Sequence, residues 1–420
     1  MIKKFVIAIV YCATCIIYSQ NGTVSPYSFG VGDLKAAGTV ENQMMGGVAI
    51  YADSIHINLR NPAAYSKLSL TTYTAGLTRK ESRLKTFDDQ ENASVSNLDY
   101  LAIGLPLGKG FGLGFGLMPF SSVGYNSLTQ GVNAEGAALT FSASGDGGLN
   151  RLYTSLGYEV FKDFSIGATM NFNFGTLNND RIQTVEGVQF GTLDRRESRV
   201  NGFDFNYAAN YTPKISEKYR LYTLVSVNTQ MNLVSENTRT IGSFSLSSGA
   251  DVEVINVNLQ AQGLKNTEIK VPTTTTLGLG IGEDKKWFVG AEYSLQGLSS
   301  FENDFLNRNN VDYKDASTFG FGGFFVPDYS SFTSYFKRVT YRAGAKLTKS
   351  GLVINDKEIN NFGITFGVGL PLGGSFSNLN IGFELGRRGT TDADLVEESY
   401  LKMNLGLSLN DRWFQKRKIN

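Results

Sequence analysis

The chain has 420 residues and a formal charge of +1, with 47 glycines, 29 phenylalanines and 20 tyrosines against only 8 prolines and 18% charged residues. Its mean hydropathy of −0.14 is too polar for a bundle of transmembrane helices, and past residue 20 no apolar run approaches the roughly 18 residues that a spanning helix needs. Both cysteines, Cys12 and Cys15, lie in the first twenty residues and His56 is the single histidine, which excludes disulfides, thiolate chemistry and a His-pair metal site from the body of the chain. No basic face of the kind nucleic acid selects is visible.

Residues 1–20 read as a secretory signal: Lys3 and Lys4, an apolar stretch from Phe5 to Tyr18, then Ser19 and Gln20. The stretch is too short to span as a helix, and the residues before Cys12 and Cys15 do not form a lipobox. The mature protein is therefore expected beyond an inner membrane.

Residues 21–65 show no sustained alternation. From residue 66 the period is two: Phe164, Ile166, Ala168, Met170, Phe172 and Phe174 alternate with Ser165, Gly167, Thr169, Asn171 and Asn173. A helix cannot use that spacing; a strand with one apolar and one wet face requires it. The same pattern recurs at 111–117, 287–295, 379–385 and 401–409. Marking each such segment gives about fourteen strands of ten or more residues. They fall near 66–80, 96–107, 110–121, 147–160, 164–177, 199–211, 219–233, 268–282, 286–297, 312–325, 335–348, 359–370, 377–388 and 398–409.

Their connections alternate in length. Turns at Gly108-Lys109, Phe161 to Asp163, Thr212 to Lys218, Glu283 to Lys285, Pro327 to Tyr329 and Gly373-Gly374 are short, whereas 81–95, 122–146, 178–198, 234–267, 298–311, 349–358 and 389–397 are mostly longer and polar. Strands of this length, with short turns at one rim and long loops at the other, predict an all-β transmembrane antiparallel barrel over residues 66–410 with the short turns periplasmic. Soluble sandwich strands run shorter. Aromatic residues near strand ends, among them Tyr158, Phe164, Tyr211, Tyr219, Trp287, Tyr335 and Trp413, fit an interfacial girdle, and residues 411–420 form a basic periplasmic tail.

Before the first strand stand Met45-Gly46-Gly47-Val48-Ala49-Ile50-Tyr51-Ala52-Asp53 and Asn61-Pro62-Ala63. Here the sequence resembles the FadL/TodX family of outer-membrane transporters for hydrophobic compounds, with Gly46, Gly47, Asp53, Asn61, Pro62 and Ala63 at the positions of that family's motif. The resemblance implies a fourteen-stranded barrel in the outer membrane of a Gram-negative bacterium, with residues 21–65 folded back into the lumen as a hatch. A barrel of this size must be water-filled or plugged. Glycines at inward parity, Gly112, Gly114, Gly116, Gly278, Gly280 and Gly367, either let such a plug approach the wall or relieve crowding in a twisted sheet.

Chemistry finds little support. His56 beside Asp53 and Ser54 is a run of sequence neighbours rather than a triad, and Gly108-Lys109-Gly110-Phe111-Gly112 fits neither phosphate-binding pattern. Acidic loop residues lack the spacing of a calcium loop, so no cofactor and no metal site is expected. The leading expectation is a passive channel for hydrophobic or amphipathic molecules such as long-chain fatty acids, holding lipid or detergent-like ligands in a pocket built from Phe120, Tyr125, Leu128, Phe244, Leu246, Phe301 and Phe305. Loop packing accounts for those side chains equally well. The alternative is a non-transporting partner barrel of a type IX secretion or outer-membrane assembly machine, with protein partners in that complex.

Overall fold

Alternation carries directly into architecture. The computed structural model describes residues 22–35, 37–306, 310–373 and 376–412. The expected signal at 1–20, Trp413 and the basic tail from residue 413 lie outside them.

The wall is a closed antiparallel barrel of 14 strand crossings. After a short inner strand β1 (Asp33–Leu34), it is built from β2 (Thr71–Lys85), β3 (Gln90–Gly108), β4 (Phe111–Val132), β5 (Ala138–Phe161), β6 (Phe164–Val185) and β7 (Phe190–Tyr211). One crossing is shared by β8 (Tyr219–Asn228) and β9 (Met231–Ser245), interrupted at Thr229 and Gln230. The next is shared by β10 (Asp251–Asn256), β11 (Asn266–Val271) and β12 (Thr274–Glu283). Then come β13 (Trp287–Gln296), β14 (Val311–Tyr313) with β15 (Ala316–Phe325), β16 (Thr340–Ile354), β17 (Lys357–Pro371), β18 (Asn378–Arg388) and β19 (Glu397–Asp411). The cylinder closes where β19 pairs with β2, from Glu397↔Lys85 to Asp411↔Thr71.

The faces sort as the period of two requires. On β5, Leu152 and Leu156 point outward while Arg151, Tyr153 and Ser155 are buried inside; on β6, Ile166, Met170 and Phe174 are outward against Ser165, Thr169, Asn171 and Asn173. An apolar exterior on a polar interior is the arrangement a bilayer stabilises, because apolar side chains meet lipid while the strand ladders around the wall satisfy backbone groups. At the short-turn rim the ring contacts Phe111–Tyr158, Phe161–Phe164 and Tyr219–Trp287, with centroids 4.1, 4.8 and 6.0 Å apart, form part of the aromatic girdle. The turn joining β3 to β4 places Lys109 and Gly110 at φ of 53° and 79°, the positive-φ geometry of tight hairpins.

Several boundaries differ from the expectation. Ser66 does not begin a strand: Pro62–Lys67 form a 3-10 helix and β2 starts at Thr71. Most of the expected long loops are strand, since β4 and β5 continue to Val132 and from Ala138, and β6 and β7 meet across residues 186–189. Polar alternation on both faces outside the bilayer removes the apolar stripe that marks a strand in sequence, although hydrogen bonding persists. Residues 326–339, expected to contain a short turn, form a longer segment with a short helix, α2, at Tyr335–Arg338, following α1 at Val40–Gln43. Residues 312–325 are strand, as β14 and β15, with a break at Lys314 and Asp315.

Candidate functional site

The inward wall receives residues 22–35 and 37–70. Where the chain crosses closest, the wall carries glycine: a Cβ on Gly157 would stand 2.6 Å from the Pro62 carbonyl oxygen and 2.7 Å from the Ser66 amide nitrogen, and one on Gly278 would stand 2.6 Å from Ile50. Gly112 and Gly114 face Tyr65, and Gly367 faces Met44. The other two glycines singled out in the sequence behave differently: Gly116 packs on Leu101 and Tyr153, and Gly280 on Phe288, so they relieve crowding within the wall.

The motif residues are structural keys for this segment. Gly46, at φ 67°, lies against the backbone oxygens of Ala345 and Phe321 and donates its N–H to Thr365 Oγ1 at 2.9 Å. Gly47 follows at φ 83°, and its carbonyl accepts from Arg60. Asn61 is fully buried; its N–H donates to Asn58 Oδ1 at 3.1 Å, and it precedes Pro62, which opens the 3-10 helix where a missing N–H costs nothing. Ala63 packs beside Gly167. Asp53 accepts the N–H groups of Ile55 and His56 at 2.9 and 2.8 Å and meets His56 Nδ1 at 2.6 Å. Burial alone would lower the His56 pKa, but the Asp53 carboxylate, its hydrogen bond and nearby Glu41 outweigh that and hold it above its ordinary value. The same pair, against the opposing effect of burial, holds Asp53 below its usual range. His56 Nε2 lies 3.5 Å from Asn378 Nδ2 and 4.0 Å from Glu41, an amide and a carboxylate where a triad would place a serine hydroxyl.

Charged anchors tie the segment to two sides of the wall. Arg388 donates to both oxygens of Asp33 at 2.7 and 2.8 Å. Burial opposes ionisation of Asp33, yet Arg388, with Lys80 and Lys35 further off, keeps its pKa below the usual carboxylate range. On β13, Glu292 pairs with Arg60 at 3.1 Å and accepts the Ala49 N–H, while Asn380, on β18 like Arg388, donates to Glu41 at 2.8 Å. These anchors are absent from the sequence-level site. The signal for them was available, because Glu292, Asn380 and Arg388 all occupy inward parity in strands whose other face is apolar.

Residues 22–35 run along β4. Asp33 pairs with Ser122 and Leu34 with Ser121, Ser25 donates to the Gly124 carbonyl at 2.9 Å, and Lys35 donates to that of Phe120 at 2.9 Å. They occupy an edge that β3 has vacated: β3 and β4 are paired only between Gly108↔Phe111 and Leu101↔Leu117, although both strands run further, β3 beginning at Gln90 and β4 ending at Val132. Pro119, with no N–H, and the irregularity between Pro119 and Ser121 fall where that ladder ends.

Beside this junction lies an apolar cluster of Val31, Val123, Tyr125, Leu149, Leu177 and Leu233, with Phe29, Phe120 and Phe301 packed against it. Of the seven candidate pocket residues, the structure thus brings Phe120, Tyr125 and Phe301 together, and Phe305 is buried next to Leu306 of the same cluster. Leu128 and Leu246 are exposed on hairpins away from it, and Phe244 packs against Gly191 on β7, so these three do not join the cluster. Among the described residues no group of three or more His, Cys, Asp or Glu side chains is gathered as a metal site would need.

Fold and interior together define an outer-membrane-type barrel with the N-terminal part of the chain packed against its inner wall. Solved structures similar to it include the toluene transporter TodX of Pseudomonas putida, at 16% identity over 91% of this chain and 100% of that one with a TM-score of 0.59. The toluene transporter TbuX of Ralstonia pickettii is similar at 14% over 90% and 99% with 0.58, and a FadL homologue of Pseudomonas aeruginosa at 12% over 90% and 98% with 0.57. At these identities the likeness is one of fold. No curated protein matches the sequence. The family model described as BamG matches residues 1–420, and the chain belongs to that family.

Proposed function

We propose that the protein is a passive outer-membrane channel for hydrophobic or amphipathic small molecules, long-chain fatty acids among them, with residues 21–65 as its hatch. The observation that carries this reading is the end of the β3–β4 ladder beside an apolar cluster, with residues 22–35 lying across the vacated β4 edge. An apolar solute gains roughly 25 cal/mol for each Å² it removes from water. A solute entering among Phe29, Phe120, Tyr125 and Phe301 reaches the bilayer by the shortest route once residues 22–35 leave β4. The solved barrels of this fold include toluene transporters and a FadL homologue, which supports the solute class.

A double substitution tests it. Leu34 and Ser121 face each other where the Lys35-to-Phe120 bond flanks the pair, the close, non-hydrogen-bonded position with Cα atoms about 4.5 Å apart that suits a disulfide. Oxidised Leu34→Cys/Ser121→Cys protein is expected to lose uptake of labelled toluene and oleate, and a reductant is expected to restore it. Unchanged uptake in the oxidised protein refutes the route.

A partner role is the second reading. It is favoured by the height of the sheet from β4 to β10 at the long-hairpin rim, more than a bilayer crossing needs, which offers surface rather than passage.

A further inference from the structure

The tall sheet ends on one strand. β10 pairs with β9, its six residues are all exposed, and among the described residues no strand lies along its other side. The pairing register says which groups are free. Val257 donates to the Arg239 carbonyl, and Ile255↔Ile241 and Glu253↔Ser243 share that register, so the backbone groups of residues 253, 255 and 257 face β9. Those of Val254 and Asn256 therefore point away, at an unoccupied edge. Natural sheets blunt such an edge with lysine, proline or a covering segment. β10, Asp251-Val-Glu-Val-Ile-Asn256, has neither lysine nor proline; its two acids and its register shift all lie between Asp251 and Glu253, which leaves Val254 to Asn256 uncharged and regular, and Val252, Val254 and Ile255 are 57, 45 and 53% exposed. Arg195 of β7 holds the strand's start by donating to both oxygens of Asp251 at 2.7 and 3.2 Å, whereas Glu253 has no ion-pair partner among the described residues.

The geometry points to β10 as a docking edge on which an extended segment of another surface protein adds as a β-strand, with alternate β-branched residues and a lysine or arginine opposite Glu253. Backbone hydrogen bonds to Val254 and Asn256 supply the affinity and the alternate side chains the selectivity. Charge decides against a second copy of this chain, because pairing β10 with itself sets Asp251 and Glu253 of both copies into one ribbon, where like charges destabilise and opposite charges stabilise cross-strand pairs. The long-hairpin rim faces the cell exterior in barrels of this type, so the partner is an extracellular one. This inference stands apart from transport.

The test uses the full-length protein in detergent and a synthetic fluorescent peptide of valine, threonine and lysine in alternation, followed by anisotropy. Wild type is expected to bind it, and Val254→Pro to weaken binding at least tenfold, because proline removes an N–H that faces away from β9 and leaves the β9 ladder intact. Glu253→Gln is expected to weaken it severalfold, and a peptide with glutamate in place of lysine is expected not to bind. Asn256→Pro, which deletes the other outward N–H, serves if Val254→Pro fails to fold, folding being read from heat-resistant migration in gels. Equal binding by wild type and the proline variant overturns the proposal, as does absence of binding to wild type or a wild-type dimer that Val254→Pro converts to monomer. Uptake by Val254→Pro is expected at the wild-type level; a loss of uptake by the Leu34/Ser121 disulfide with peptide binding intact bears on transport alone.

Discussion

Replacing Gly157 with alanine measures how firmly the 3-10 helix is seated. The new Cβ would stand 2.6 Å from the Pro62 carbonyl oxygen, 2.7 Å from the Ser66 nitrogen and 3.1 Å from the Tyr65 Cβ. Two of these three atoms are backbone, so no rotamer change relieves the overlap and the helix must retreat by several tenths of an ångström. Inserting a methyl into such packing costs about 1–3 kcal/mol. The barrel wall does not share the cost, because the strain is relieved by releasing residues 62–68 alone. At 1.4 kcal/mol per tenfold, the opening equilibrium rises by roughly 5- to 150-fold. Native-state hydrogen exchange reads this at the amides of Ala64 and Leu68, which bond to Asn61 and Tyr65 carbonyls at 3.1 Å. Their exchange is expected to accelerate by that factor while amides of β18 keep the wild-type rate. Gly131→Ala, whose Cβ meets nothing within 4 Å, is the control. Equal exchange at Ala64 and Leu68 in Gly157→Ala and wild type would show that the helix does not rest on the wall where the structure places it.

Arg388→Leu strands the Asp33 carboxylate, a loss of about 3 kcal/mol at the low end for a broken buried pair; trypsin is expected to cut after Lys35 at least tenfold faster than in wild type, and unchanged cleavage argues against the anchor. The His56–Asp53 pair predicts a pH dependence. Since the folded His56 pKa is raised, its contribution is complete below the unfolded value of about 6.5 and fades as pH climbs through the folded value. The depressed Asp53 pKa adds a contribution lost only as pH falls through its folded value, below about 3.9. The melting-temperature gap between wild type and His56→Gln should therefore shrink from pH 6 to pH 9, and a gap that widens contradicts the assignment. Inside the wall, Asp204 accepts from Arg151 at 3.1 Å and from the Asn171 and Asn173 amides at 2.8 and 2.6 Å. Asp204→Ala leaves that guanidinium buried without its counter-charge and is expected to cost about 3–5 kcal/mol in urea unfolding from lipid vesicles, and a cost below 1 kcal/mol would mean that water takes the carboxylate's place.

Bilayer contact explains what the sequence made legible. Ile166, Met170 and Phe174 had to be apolar because lipid faces them, and Thr169, Asn171 and Asn173 polar because the interior does, so the crossings stand out. Beyond the bilayer both faces of β4 to β7 meet water, the contrast vanishes, and residues 122–132 and 178–185 resemble loop. The motif at Gly46, Gly47 and Asn61-Pro62-Ala63 marked the segment that packs inside, since close approach of backbone to backbone restricts side-chain size. Inward parity marks Glu292 and Arg388 as facing the interior, but not their partners, because Asp33 with Arg388 and Arg60 with Glu292 are joined across hundreds of residues. Leu128 and Leu246 lie apart from the apolar cluster for a related reason: they are apolar without being inside, which sequence alone does not separate.

The seam between β19 and β2 imposes an order of assembly. Its rungs run from Glu397↔Lys85 to Asp411↔Thr71, joining the last strand made to the first one after the N-terminal segment. Until the final strand is in place the sheet stays an open ribbon, and the N-terminal segment can be laid against its concave side from the flank. After the seam zips shut, the segment has to enter through a mouth or through the gap where the β3–β4 ladder ends. Loading the interior before the cylinder is sealed is the less obstructed order, since a barrel that closes first has to thread its own leading segment through one of those openings.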